Sequence, residues 1–166
     1  MSDRAGPEGS LVIERIFDAP AEDVWALWTD QEQFAAWYGP NGASIPVADM
    51  DVRVGGLRRV GMEVQTPNGP MSMWFTGEYR EIVENRRLAY TESMSDEDGN
   101  VLAPPDLGMA PDHPTVTEVV VELDDLGGRT RMTLTHRGIP ADSPGATGWT
   151  MALDKLATLI TTRNPA

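Results

Sequence analysis

The sequence predicts an α+β domain: a curved antiparallel sheet of about seven strands wrapped on a long C-terminal helix, with two short helices after the first strand. Three observations carry this. Period-two apolar alternation recurs in consecutive segments separated by Gly, Pro and Asn turns, which gives antiparallel neighbours. Helical signals lie outside that run, one pair near the start and one stretch at the end. The final stretch places Trp149, Leu153, Leu156 and Ile160 at i, i+4, i+7 and i+11, a continuous stripe able to cover one face of a sheet.

Leu11 to Phe17 reads as the first strand, with Leu11 and Ile13 in phase. Pro20 then opens a helix, because its fixed φ suits a first turn and Glu22 and Asp23 complement the positive end of the helix dipole. Val24, Trp25, Leu27 and Trp28 form its apolar side. Thr29 or Asp30 caps a second short helix that carries Phe34 and Trp37 on one face. Gly39 to Gly42 ends it. Ala43 to Met50 is an extended edge segment, since Pro46 cannot donate to a central ladder.

Asp51 to Gly56 is a turn whose glycine pair implies positive φ or close backbone approach. Leu57 to Thr66 and Met71 to Val83 form a hairpin across Pro67–Pro70. Val60, Met62 and Val64 share one face of the first arm; Met71, Met73, Phe75 and Tyr79 share one face of the second. Arg87 to Met94 follows after a tight turn, with Leu88 and Tyr90 in phase. Ser95 to Pro114 has no periodicity; its four prolines and five acids mark a long loop. Thr115 to Leu123 and Arg129 to Arg137 are the last strands, and Met132, Leu134 and His136 share a face of the second. Ser143-Pro144 starts the final helix and Asn164-Pro165 stops it. Residues 1–9 read as a flexible N-terminal segment and 10–162 as a single domain.

The net charge of −13 and a single lysine, Lys155, exclude nucleic acid and anionic membranes as partners, because both need clustered cations. With no cysteine there is no disulfide, thiolate metal site or cysteine nucleophile. A polar N-terminus without an apolar run, and no stretch of membrane-spanning length, make cytoplasmic the default compartment. The acidity fits solubility more simply than it fits a cationic partner.

Several pieces resemble a known family. They are Phe17-Asp18-Ala19-Pro20 running into Val24 to Asp30, Trp37-Tyr38-Gly39-Pro40, Asp51 to Gly56, Gly77 to Ile82 and Arg87-Leu88. Gly128 to His136, Gly148-Trp149 and Leu153 to Leu156 complete the set, in order, over roughly residues 11 to 160. Together they look like the START/Bet v 1-like (SRPBCC) superfamily, and within it the activator of heat-shock-protein-90 ATPase homologue-like family. The resemblance implies a helix-grip fold with a cavity between sheet and helix. It transfers no catalytic residue, and the superfamily spans carriers, cyclases and co-chaperone domains. The 95–114 loop is longer than is typical there.

Met62, Met71, Met73, Phe75, Tyr90, Met132, Leu134, Trp149 and Leu153 are the expected cavity wall, methionine being pliable enough to meet varied apolar ligands; the plain alternative is core packing. Trp37, Tyr38 and Trp74 are expected near the mouth, with the outer face as the alternative for Trp74, which is out of phase with the methionines. Arg58, in phase with Val60 and Met62, reads as a rim residue that holds a carboxylate or phenolate, or as a salt-bridge partner at the sheet edge. His136 is the weak catalytic candidate, an anchor or general acid/base, against a hydrogen-bonded core histidine. Glu78 and Glu92 are proton acceptors of undetermined phase. Two separated histidines, His113 and His136, make no metal site, and Asp96 to Asn100 lacks the spacing of a calcium loop.

Three functions follow as expectations. The first is binding of a small hydrophobic or aromatic molecule in the cavity, by a monomer or homodimer without cofactor. The second is a cyclase, dehydratase or hydrolase acting in the same cavity through His136 and Arg58. The third is a co-chaperone or regulatory interaction domain.

Overall fold

The computed structural model describes residues 2–5, 10–39, 42–102, 116–138 and 144–163. Its strands are β1 (Ser2–Ala5), β2 (Ser10–Phe17), β3 (Ser44–Met50), β4 (Leu57–Thr66), β5 (Gly69–Val83), β6 (Arg87–Ser95), β7 (Thr117–Asp125) and β8 (Thr130–Arg137). Its helices are α1 (Ala21–Thr29), α2 (Gln31–Ala35) and α3 (Pro144–Arg163). All strands join one antiparallel sheet in the order β1-β2-β8-β7-β6-β5-β4-β3. The segment 1–9 contributes β1, which pairs Ser2 with Glu14 and Ala5 with Leu11 and brings the strand number to eight.

Local chemistry sets the corners. Asp30 does two jobs: its N–H donates to Ala26 O and closes α1, while its carboxylate accepts from Gln33 N and opens α2. Gly55 has a φ of 84° and donates to Tyr79 O, and Tyr79 N donates back to Gly56 O. A Cβ on Gly56 would lie 2.0 Å from Asp51 O, so both readings of this glycine pair hold, one at each position. The edge strand β3 shifts register between Ser44 and Val47, around Pro46, where no ladder N–H exists. Midway along the β5–β6 pair, Glu78 N donates to Thr91 Oγ1, and the register slips by one residue between Tyr79 and Glu81.

The core lies between the inner face of the sheet and α3. Leu11, Ile13, Val60, Leu88, Val119, Val121, Met132 and Leu134 supply the sheet side, and Trp149, Ala152, Leu153, Leu156 and Ile160 the helix side. From α1, α2 and the turn after α2, Val24, Leu27, Trp28, Phe34 and Trp37 close one end with a run of aromatic contacts: Trp28 to Trp37 at 4.8 Å, and Trp28 to Trp149 at 5.8 Å. Arg15, in the inward phase of β2, reaches Asp154 of α3 at 2.8 Å and ties helix to sheet. Among the described residues no helix is long and apolar enough to cross a membrane.

Candidate functional site

The inner surface divides into two halves. In one, Met132, Leu134 and Leu153 show no exposure at all, so these side chains offer no surface that water can touch. They are core. In the other, methionine and aromatic side chains keep partial access. The β4–β5–β6 register sets Val60 beside Phe75 and Phe75 beside Met94, and the adjacent pair is Met62 beside Met73. Phe75, Met73 and Met94 are half-buried, and Met62 retains slight exposure. Tyr38 meets Phe75 edge-on at 6.4 Å and Trp149 at 5.8 Å, which brings the segment after α2 and the first half of α3 onto this wall.

Two expected positions move. Met71 is in the inward phase, but it sits near the tip of the β4–β5 hairpin and is 48% exposed, so it lies on the surface and lines nothing. Trp37 is fully buried, its indole N–H donating to Leu27 O at 2.7 Å; it is an interior strut of α1 and α2, away from any mouth. Trp74 lies on the outer face, over Gly61 and with the Arg59 guanidinium 4.5 Å above its ring. His113 and Ser143 fall outside the described residues, as does most of the 95–114 loop; its start folds back, with Ser95 bridging Val101 and Asp96 accepting from Asp98 N and Asn100 N.

A buried polar cluster borders the wall. Arg58 projects inward from β4, with only 1% of its side chain exposed, and is not at the sheet edge. Its Nη1 lies 3.8 Å from Glu92 Oε1. Its guanidinium carbon stands 3.9 Å from the Tyr90 ring centre and 5.3 Å from that of Phe34. Burial opposes this charge, but the surrounding Tyr90, Tyr79, Glu92 and Tyr38 oxygens outweigh it and hold the pKa above the ordinary arginine range. Tyr38 Oη donates to Glu92 Oε1 at 3.0 Å; burial first, and the Glu92 charge second, push that phenol well above its usual value. Burial likewise raises Tyr90.

His136 belongs to the same cluster, and its bonds fix its tautomer. Trp149 Nε1, which can only donate, gives its proton to His136 Nδ1 at 2.8 Å. Nδ1 therefore carries no hydrogen, and Nε2 does. Thr117 Oγ1 stands 2.8 Å from Nε2 and donates its own proton to Glu92 O at 3.1 Å, so it accepts from the imidazole. The ring is neutral and held at both nitrogens, with Glu92 Oε2 3.8 Å from Nε2. A general base needs a free nitrogen facing a substrate. Here Nδ1 accepts from an indole, which is the geometry of a structural histidine.

Sequence reasoning missed Tyr79 and Thr117 as members and left Glu92 undecided. Glu92 is in phase with Leu88 and Tyr90, so its inward direction was available from period two alone. Thr117 is likewise in phase with Val119, Val121 and Leu123, but nothing in the sequence pairs it with His136 across the β7–β8 ladder. Among the described residues, no three His, Asp or Glu side chains gather to hold a metal.

The sequence profile described as "Activator of Hsp90 ATPase homolog 1-like protein" matches residues 18–161, most of the chain. The chain belongs to that family. No curated protein matches it. Solved structures share the fold of this Hsp90-activator-like chain across nearly its whole length. A protein of Mycobacterium smegmatis is 22% identical, with a TM-score of 0.79 and 99% of each chain covered. A protein of Arthrobacter aurescens is 24% identical, with a TM-score of 0.75, covering 97% of this chain and 91% of its own. One of Chromobacterium violaceum is 24% identical, with a TM-score of 0.74, covering 92% of this chain and 96% of its own. At these identities the likeness speaks for the fold of the Hsp90-activator-like family member, and its chemistry rests on the side chains above.

Proposed function

We propose that the domain binds a small hydrophobic or aromatic molecule between the sheet and the C-terminal helix, against the wall formed by Tyr38, Met62, Met73, Phe75 and Trp149. The observation that carries this reading is the contrast between the two halves of the inner surface. Where the sheet meets the middle of α3 the side chains are sealed, whereas Phe75, Met73 and Met94 remain half-buried although they point inward. Apolar side chains on a concave face that are neither packed away nor at a tip are the usual material of a ligand wall. Three of these five are aromatic and two are methionines, so the wall offers both flat stacking surface and pliable contact.

The test is saturable quenching of tryptophan fluorescence by an apolar aromatic titrant, since Trp149 stands in the proposed wall. Truncating Phe75 to Ala removes a large apolar contact and weakens binding about tenfold. The same truncation at Met71, on the same strand and in the same phase but exposed, leaves affinity unchanged. Equal effects from the two substitutions, or quenching that never saturates, count against the proposal.

A further inference from the structure

The polar cluster contains more buried donors than its own acceptors use. Arg58 Nε and Nη1 have no hydrogen-bond partner among the described residues, and neither do the hydroxyls of Tyr79 and Tyr90. All three side chains are at most 2% exposed. They also stand together: the Arg58 guanidinium carbon is 3.9 Å from the Tyr90 ring centre and 5.9 Å from that of Tyr79, and the two rings meet edge-on at 5.9 Å. Leaving a buried donor unpaired costs on the order of 1–3 kcal/mol. Three side chains sharing that deficit around one guanidinium make a site short of an acceptor.

The charge of that acceptor follows from Glu92. Arg58 is already faced by one carboxylate at 3.8 Å, and Glu92 also takes the Tyr38 hydroxyl. The pair is neutral as a whole. A second carboxylate or a phenolate brought into this buried place would stand beside Glu92, whose charge already meets that of Arg58, and add a like charge there. A neutral oxygen with two lone pairs accepts from the same donors without that cost. Position along β4 adds a length. Arg58 and Met62 are four residues apart on one strand, about 13 Å at the usual rise, the span of two to three fused rings ending in a carbonyl.

We infer that the ligand carries a neutral carbonyl oxygen on an aromatic body, and that Arg58, Tyr79 and Tyr90 bind that oxygen while the Met62–Met73–Phe75 wall holds the rings. This rests on the ligand-binding reading above and adds its polar end. It also departs from the carboxylate or phenolate expected at Arg58 from the sequence.

Three naphthalenes of similar size serve as probes: 2-acetylnaphthalene, 2-ethylnaphthalene and 2-naphthoate, each titrated into wild type, Tyr90→Phe and Tyr79→Phe by calorimetry. The ketone binds wild type about fivefold more tightly than the hydrocarbon, and either loss of a hydroxyl erases that advantage without touching hydrocarbon binding. The naphthoate binds at least about tenfold more weakly than the ketone. Both variants lose only an unpartnered hydroxyl, so their urea midpoints stay at or above wild type, which separates an affinity effect from misfolding. Equal affinity for ketone and hydrocarbon overturns the carbonyl inference while the ligand-binding reading stands. A preference for naphthoate overturns the neutrality argument, again with the reading intact. Should none of the three bind, both fall.

Discussion

At the scale of single residues, Glu92 decides the electrostatics of the interior. Its side chain is 9% exposed and faces Arg58, which is 1% exposed, so the two charges neutralise each other in a place water hardly reaches. Replacing Glu92 by Gln keeps an acceptor for Tyr38 but leaves the guanidinium uncompensated, and removing one partner of a buried pair costs about 3 kcal/mol or more. The double variant Arg58→Met/Glu92→Gln removes both charges and recovers much of that loss; urea denaturation of the two proteins side by side measures the difference. A double variant less stable than Glu92→Gln alone would mean that the pair is not the main partner of either charge. How such a site reads in a sequence is instructive. Period two shows that Arg58 on β4, Tyr90 and Glu92 on β6, and His136 on β8 point inward. It does not show that they meet, because the meeting depends on the β4–β5 and β5–β6 registers and on the slip after Tyr79. His136 looked the most chemical of the set as an isolated histidine on an apolar face. Its bond from Trp149, thirteen residues onward and on another element, turns it into a fixed neutral ring.

At the scale of elements, the C-terminal helix carries most of the packing. The stripe Trp149, Leu153, Leu156 and Ile160 is buried throughout, at no more than 6% exposure, as its spacing required. Leu153→Ala leaves a void where both sheet and helix are tightly filled, and the expected loss is about 2–5 kcal/mol. Met71→Ala, with its side chain in water, shifts stability by no more than about 0.5 kcal/mol. The same denaturation assay reads both. The contrast marks where pattern reasoning stops: alternation assigns Met71 to the inward face, but a strand of 15 residues outruns what lies against it, and its first turn of pleat projects into solvent. Arg15 illustrates the opposite case. A charge in the inward phase of β2 breaks the apolar pattern there, and its reason is found only in Asp154 of the distant helix.

At the scale of the whole molecule, the order of elements, their antiparallel pairing and the final helix were legible from turns and periodicity, since each is a local property of the chain. The eighth strand was not: Ser2–Ala5 is too short and polar to announce itself, and it exists only as an addition to the free edge of β2. The buried phenols give the folded molecule as a whole a pH signature. Tyr38 and Tyr90 are both raised above the ordinary phenol value of 10.0, the first by burial and the Glu92 carboxylate, the second chiefly by burial. In the unfolded chain these groups release their protons near pH 10, whereas in the native protein they keep them. Unfolding is therefore favoured progressively as pH rises above the unfolded value, and the stabilisation present at neutral pH drains away on the alkaline side. Each such tyrosine contributes a slope of about 1.4 kcal/mol per pH unit in that window. Urea midpoints measured from pH 8 to 11 decline for the wild type, and Tyr38→Phe removes one of the two contributions, so its curve falls less steeply. Parallel curves for wild type and Tyr38→Phe would show that the Tyr38 phenol ionises in the native protein as readily as in the unfolded chain, and with that the buried cluster around Glu92 would lose its protected character.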